Sequence, residues 1–175
     1  DYDIIHYDSQ DRRGIDVALM YRKSVFKPVS VSRKIPVHEG DTLATRDILH
    51  VCMEYGMGQK VNLIVNHHPS KYGGSEESEG KRGVAMKALK SLCDSLESGS
   101  GAPVVAMGDF NDHPDASQFD ILKDVLVNKA DSLADRGRGT IRYEGKWELI
   151  DMFLVSSSLS AASRMEIIEL PFLMI

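Results

Sequence analysis

Residues 103–114 read Pro-Val-Val-Ala-Met-Gly-Asp-Phe-Asn-Asp-His-Pro, an apolar run stopped by proline at both ends and opening into glycine, acids and an amide. A β-branched run this short, bounded by Pro and Gly, reads as a strand, and one nearly continuous in apolar residues must be covered on both faces of a sheet. The polar cluster Asp109, Asn111, Asp112 and His113 then falls at the strand's carboxyl end, where α/β enzymes usually carry reactive groups. The same residue types also build ordinary tight turns, so this segment alone leaves both readings open. Gly108 admits close approach of backbone or ligand.

Two further apolar strands carry polar groups in the same way. Val61 to Asn66 runs into His67, His68 and Pro69, and Leu149 to Val155 holds Asp151 between Ile150 and Met152. A carboxylate in such a run is costly to desolvate unless it is paired. Ile15 to Tyr21 and Asp47 to Met53 also read as strands, Arg164 to Glu169 as a weaker one, and Pro28 to Thr45 as a connecting stretch. The clearest helix is Glu79 to Ser98: Ala85, Ala88, Leu89, Leu92 and Leu96 form one stripe, with Lys87, Lys90 and Glu97 off it. The Ser98–Pro103 segment ends it. A shorter helix is expected from Asp115 or Ser117, carrying Phe119 and Leu122. The order of elements fits helices outside packed sheets.

One domain accounts for the 175 residues, of which 42% are hydrophobic and 27% charged. No apolar stretch approaches the roughly 20 residues of a membrane span. The formal net charge of −5 argues against broad wrapping of nucleic acid, though not against a local basic cleft. Cys52 and Cys93 sit in apolar surroundings and read as reduced core residues, with a single disulfide as the open alternative.

Taken in order, Arg13-Gly14-Ile15-Asp16-Val17-Ala18-Leu19-Met20-Tyr21-Arg22, Asn66-His67-His68-Pro69-Ser70, Gly108-Asp109-Phe110-Asn111-Asp112 and Leu149-Ile150-Asp151-Met152-Phe153-Leu154-Val155-Ser156 resemble the endonuclease/exonuclease/phosphatase superfamily. The resemblance implies an α+β fold of the deoxyribonuclease-I type, a four-layer sandwich of two mostly antiparallel sheets flanked by helices, here a single domain over 1–175 incomplete at both termini. It implies hydrolysis of a phosphodiester or phosphomonoester by metal-assisted attack of water, with Mg2+ or Mn2+ as cofactor.

Residue by residue, the resemblance makes Asp109 the group that orients or deprotonates the water and Asn111 a donor to the phosphoryl group, both close to the metal. It makes His67 a phosphate contact and Asp151 the partner of a catalytic histidine. Asn66 and Arg13 become substrate-binding residues. The bland alternatives are a strand-end histidine for His67, a solvated loop charge for Arg13, an edge contact for Asp16 and a solvated helix start for Arg82. His68, Asp112 and His113 read as scaffolding, and Arg46 shares the doubt attached to Arg13.

Family members also carry an upstream Asn and Glu and a downstream Ser-Asp-His, which this sequence lacks. With its start at Asp1 and its apolar close, Leu170-Pro171-Phe172-Leu173-Met174-Ile175, the chain is expected to be an excerpt of a longer domain, inactive alone. Dinuclear metallophosphatases share Gly-Asp-x-x-Asp and Asn-His, but in the opposite order. A noncatalytic phosphate- or partner-binding module on the same scaffold is the second reading. The expected partner is a phosphate-ester substrate, nucleic acid included, for a monomeric protein; Lys71 to Lys81 is the expected substrate loop. Loops that vary freely set substrate choice in such a fold, so neither substrate nor compartment is legible.

Overall fold

The computed structural model describes residues 1–71, 75–99, 101–134 and 137–168, with the backbone alone for 75–77. Seven strands come first: β1 (Tyr2–His6), β2 (Ala18–Arg22), β3 (Phe26–Lys34), β4 (Val37–His38), β5 (Asp41–Thr42), β6 (Ile48–Tyr55) and β7 (Gln59–His67). The long helix α1 (Ser75–Gly99) leads into β8 (Val104–Asp109), and a 3-10 turn (Ser117–Leu122) into β9 (Val127–Asn128). The remaining elements are α2 (Asp131–Ala134), β10 (Ile141–Tyr143), β11 (Lys146–Glu148), β12 (Asp151–Val155) and α3 (Ser157–Ser160).

Six strands form the central sheet in the order β3-β6-β7-β8-β12-β9. Every neighbouring pair is antiparallel except β7 and β8. A parallel pair needs a crossover, and α1 supplies it. Alternation along the strands then sorts side chains to two faces. Ile64 from β7, Ala106 from β8 and Leu154 from β12 join Met86, Leu89 and Cys93 of α1 and Phe119 and Leu122 of the 3-10 turn in one core. Leu49, Val51 and Met53 of β6 and Val61 of β7 form a second core on the other face with Val17 and Leu19, where the β1–β2 ribbon takes the place of a second sheet. The fold is therefore the expected α+β layering around a mostly antiparallel sheet.

The helix is longer than its apolar stripe, starting at Ser75 rather than Glu79. The second half of the expected substrate loop is thus α1, and residues 72–74 lie outside the described residues. Ser117–Leu122 is a 3-10 turn, not an α-helix, with Phe119 and Leu122 buried as expected. In place of the expected connecting stretch, β3 runs along an edge of the sheet. Its polar residues hide it, and Pro28 is tolerated because the register shifts there and the strand has a free side.

The strand read from Ile15 begins only at Ala18. Upstream, side chains satisfy the backbone: the Asp11 carboxylate accepts the N–H groups of Arg13 and Ile15, and the Ser9 hydroxyl donates to the Ile15 carbonyl. Residues 164–168 are irregular, not a strand, and Glu169 lies outside the described residues with the apolar close, 170–175. Both cysteines are free and buried. Burial pushes the Cys93 thiol up to about 12, so it stays protonated. No described helix is long and apolar enough to cross a membrane.

Candidate active site

Parallel pairing sets His67 at the end of β7 directly beside Asp109 at the end of β8, and antiparallel pairing sets Asp151, the first residue of β12, across from Asp109 on its other side. The three share a sheet face, since Asn66, Gly108 and Met152 alternate to the α1 side. Three adjacent strands thus end in an imidazole and two carboxylates on one rim. The His67 Nε2 atom stands 3.6 Å from Asp109 Oδ2.

Gly108 makes this close row possible. Its φ is 127°, and a Cβ there would overlap the Asn66 carbonyl oxygen and lie 3.0 Å from the Asn66 carbonyl carbon. The close approach is by neighbouring backbone, not by a ligand. The chain then turns: the Asn111 N–H donates to Asp109 Oδ1 at 2.7 Å, Asn111 takes a left-handed φ of 51°, and its Nδ2 donates to the His68 carbonyl at 3.0 Å. Asn is among the few non-glycine residues that adopt such a φ readily. These bonds fix one Asp109 oxygen and leave Oδ2 turned toward His67.

Electrostatics sets the protonation of the row. Burial, with the Arg46 and Arg13 guanidiniums adding to it, pushes the His67 imidazole down to about 4. His67 is therefore neutral near pH 7, and its approach to Asp109 is a contact between a dipole and a charge, not an ion pair. Burial raises the Asp109 carboxyl above the usual carboxylate range, and Asp151 adds to the rise while the Asn111 N–H and Arg46 oppose it. Asp151 is half-buried. Its backbone N–H is held by Thr140 Oγ1 at 3.1 Å, and no hydrogen bond from a described residue reaches its carboxylate.

Not every expected residue comes to this rim. Asn66, expected to bind substrate, is 2% exposed on the α1 side. Its amide donates to the Ile64 and Met107 carbonyls, and Oδ1 faces His68 Nε2; the one-residue offset from His67 turns it inward. Arg13 is on the surface, its side chain 56% exposed and 3.5 Å from Asp11 Oδ2, at the margin of the row. Asp16 is likewise an edge residue, accepting the Ser9 N–H.

Other residues prove more engaged than sequence indicates. Arg46 is buried: Nε and Nη2 donate to the His67 and His68 carbonyls at 3.0 and 2.6 Å, and Nη1 faces Asp11 Oδ1 at 3.5 Å. It clamps the β7 end from below. Arg82 does not solvate a helix start but is buried, with Nε 3.0 Å from Asp112 Oδ2 and Nη1 donating to Ser78 Oγ. That pair ties the loop after Asp109 to α1. His68 is scaffold, as expected: buried, edge-on to Phe110 and pushed by burial down to about 3.

For a divalent cation the described donors are too few. No group of three His, Cys, Asp or Glu side chains among the described residues converges to hold one, and one Asp109 oxygen is already bonded within the loop.

Residues 1–171 match the sequence profile of the endonuclease/exonuclease/phosphatase family. The chain belongs to that family. Solved structures agree on the fold of this family member. The human Nocturnin catalytic domain with bound sulfate aligns with a TM-score of 0.67 at 15% identity, covering 89% of this chain and 61% of that one. The Bacteroides thetaiotaomicron mannosyl-6-phosphatase gives 0.62 at 18% identity, with 90% and 63% covered. Truncated Caenorhabditis elegans TDP2 gives 0.62 at 15% identity, with 89% and 61% covered. The chain spans about three-fifths of the length of these structures. No curated protein matches it significantly by sequence.

Proposed function

We propose that this member of the endonuclease/exonuclease/phosphatase family carries part of the hydrolytic site of a phosphoesterase, with His67, Asp109, Asn111 and Asp151 as its working residues. The observation that carries the reading is the row itself: three strand ends bringing a neutral imidazole and two carboxylates to one rim, with an asparagine on the turn beside them. Phosphate-ester chemistry in similar proteins, a mannosyl-6-phosphatase among them, supports it.

Hydrolysis requires an attacking water held in line and stabilisation of the charge on the phosphoryl oxygens. Asp109 Oδ2 is the acceptor for that water. A carboxylate whose proton affinity is raised by burial is a stronger base near neutral pH than an exposed one. His67, neutral and half-buried, donates a hydrogen bond to a phosphoryl oxygen while Arg46 fixes its backbone. Asn111 retains a second amide hydrogen beyond the one given to His68, and this is its donor to the substrate. Asp151 accepts from a histidine or water on the leaving-group side. Asn66 supports the sheet and does not touch substrate.

Mg2+ or Mn2+ is the cofactor the family resemblance implies. The described residues do not make a site for it, so every step above is assigned to protein groups. The test is turnover of bis-p-nitrophenyl phosphate, p-nitrophenyl phosphate, plasmid DNA and an abasic oligonucleotide by the full open reading frame, with Mg2+, with Mn2+ and with EDTA. Turnover abolished by Asp109→Ala supports the reading; none under any condition leaves the noncatalytic binding module.

A further inference from the structure

The loop between β1 and β2 is tied to the rim through one buried ion pair. Asp11, whose side chain is 6% exposed, divides its two oxygens between two tasks. Oδ2 accepts the backbone N–H groups of Arg13 and Ile15, each at 3.2 Å, and so holds the turn of the loop. Oδ1 faces Arg46 Nη1 at 3.5 Å. Burial raises the Asp11 carboxyl, but the Ile15 N–H and the Arg13 and Arg46 guanidiniums outweigh it and hold the group below the usual carboxylate range. It is therefore ionised at neutral pH.

Arg46 carries the connection onward. Its guanidinium is a rigid planar fork, and all three nitrogens are used: Nη1 toward Asp11, Nε to the His67 carbonyl and Nη2 to the His68 carbonyl. The His68 carbonyl is a shared acceptor, taking Arg46 Nη2 at 2.6 Å and Asn111 Nδ2 at 3.0 Å. Asn111 in turn gives its backbone N–H to Asp109 Oδ1. A fork pinned at three points does not rotate, so the direction in which Asp11 holds it sets where the end of β7 and the Asn111 amide come to rest. The loop has other anchors for its own place: Arg33 Nη1 donates to the Asp8 carbonyl at 2.8 Å, and Ser9 bonds Ile15 and Asp16.

We infer that Asp11 is a positioning residue of the catalytic rim: through the Arg46 fork it sets His67 and Asn111 against Asp109, without touching substrate itself. What the rim does follows the proposed phosphoesterase reading; the coupling stands on the hydrogen bonds. Releasing the fork leaves every rim residue present but misaligned, which costs turnover more than binding.

Asp11→Asn separates the two tasks. Asparagine has one acceptor oxygen and an NH2 group. Two bonds at 3.2 Å against one contact at 3.5 Å keep that oxygen on the turn, so the NH2 faces Arg46 Nη1, donor against donor, and the fork is released. In 1H–15N spectra of the full open reading frame, the His68 backbone amide and the Asn111 side-chain amide shift, and the Arg46 Nε–H exchanges with water about tenfold faster. Arg46→Lys, which keeps the charge but cannot fork, moves the same His68 and Asn111 signals. On the substrate that is turned over, Asp11→Asn lowers kcat by about 10- to 100-fold with KM changed less than about twofold, and adding it to Arg46→Lys costs nothing more. Shifts confined to residues 8–16, additive losses in the double variant, or a parental kcat in Asp11→Asn beside a lowered unfolding midpoint in Asp11→Ala would overturn the inference, the last marking a residue that only holds its own loop. Shifts at His68 and Asn111 in a protein without any turnover remove the hydrolase reading and keep the coupling; turnover that Asp11→Asn leaves untouched does the reverse.

Discussion

Replacing Gly108 by alanine tests the geometry that sets His67 beside Asp109. The residue has φ of 127°, a region that side-chain-bearing residues adopt at a cost of about 1–3 kcal/mol. The added methyl also overlaps the Asn66 carbonyl oxygen, in a strand pair whose backbones are locked in register. Relief requires β7 and β8 to part, at an overpacking cost of about 1–3 kcal/mol. Together these give about 4 kcal/mol, a large share of the roughly 5–15 kcal/mol that holds a domain folded, and a fall in Tm of about 8–16 °C. Gly145, in the β10–β11 turn with φ of 80° and open space within 4 Å of where a methyl would sit, is the control: alanine there costs the backbone strain alone, about 1–2 kcal/mol. Guanidinium unfolding followed by circular dichroism measures both. A Gly108→Ala cost below about 1 kcal/mol, or one equal to that at Gly145, would refute the overlap argument.

Asp109→Ala lowers kcat on any accepted substrate by about 10²–10⁴-fold, the range for losing a positioned base, with the unfolding midpoint little changed; a variant with parental kcat removes Asp109 from the site. The His67 imidazole, held down to about 4, titrates well below the ordinary histidine range in an NMR pH series, and a midpoint near 6.5 contradicts its burial beside the two arginines. Because the folded values of His67 and His68 lie below their unfolded value near 6.5, the unfolded chain binds more protons between them. Stability is therefore full above about pH 6.5 and declines as pH falls toward 4 for His67 and 3 for His68; urea midpoints that stay flat from pH 7 to 4.5 count against this. Arg82→Met leaves the buried Asp112 carboxylate with the half-exposed Lys71 at 3.4 Å and the His113 N–H at 3.2 Å but no guanidinium, and costs about 2–4 kcal/mol by denaturant unfolding.

Sequence carries most where apolar runs are continuous. β6, β7, β8 and β12 are legible because a strand covered on both faces must be written in Val, Ile, Leu, Met and Ala, and α1 because its stripe repeats at helical spacing. β3 is not, since an exposed edge strand needs no apolar run and its Lys, Ser and Arg residues resemble a loop. The row of His67, Asp109 and Asp151 follows from motif order plus strand period. What the period does not tell is which way each strand turns its first polar residue, and that is why Asn66 reads as a site residue when it lies on the opposite face. Arg46 and Arg82 escape for another reason: a buried arginine is marked by its partners, and the His67 and His68 carbonyls and the Asp112 carboxylate are distant in sequence.

The crossover through α1 has a consequence for how the chain acquires its rim. His67 and Asp109 lie on strands that are spatial neighbours but are separated in sequence by the whole helix, so their meeting closes a long loop at an entropic cost that a local hairpin does not bear. Local hairpins such as β6–β7 can zip early, leaving the imidazole in place with no acid beside it. The rim thus rests on a non-local strand pairing, and a change that weakens the docking of α1 reaches it without touching either residue.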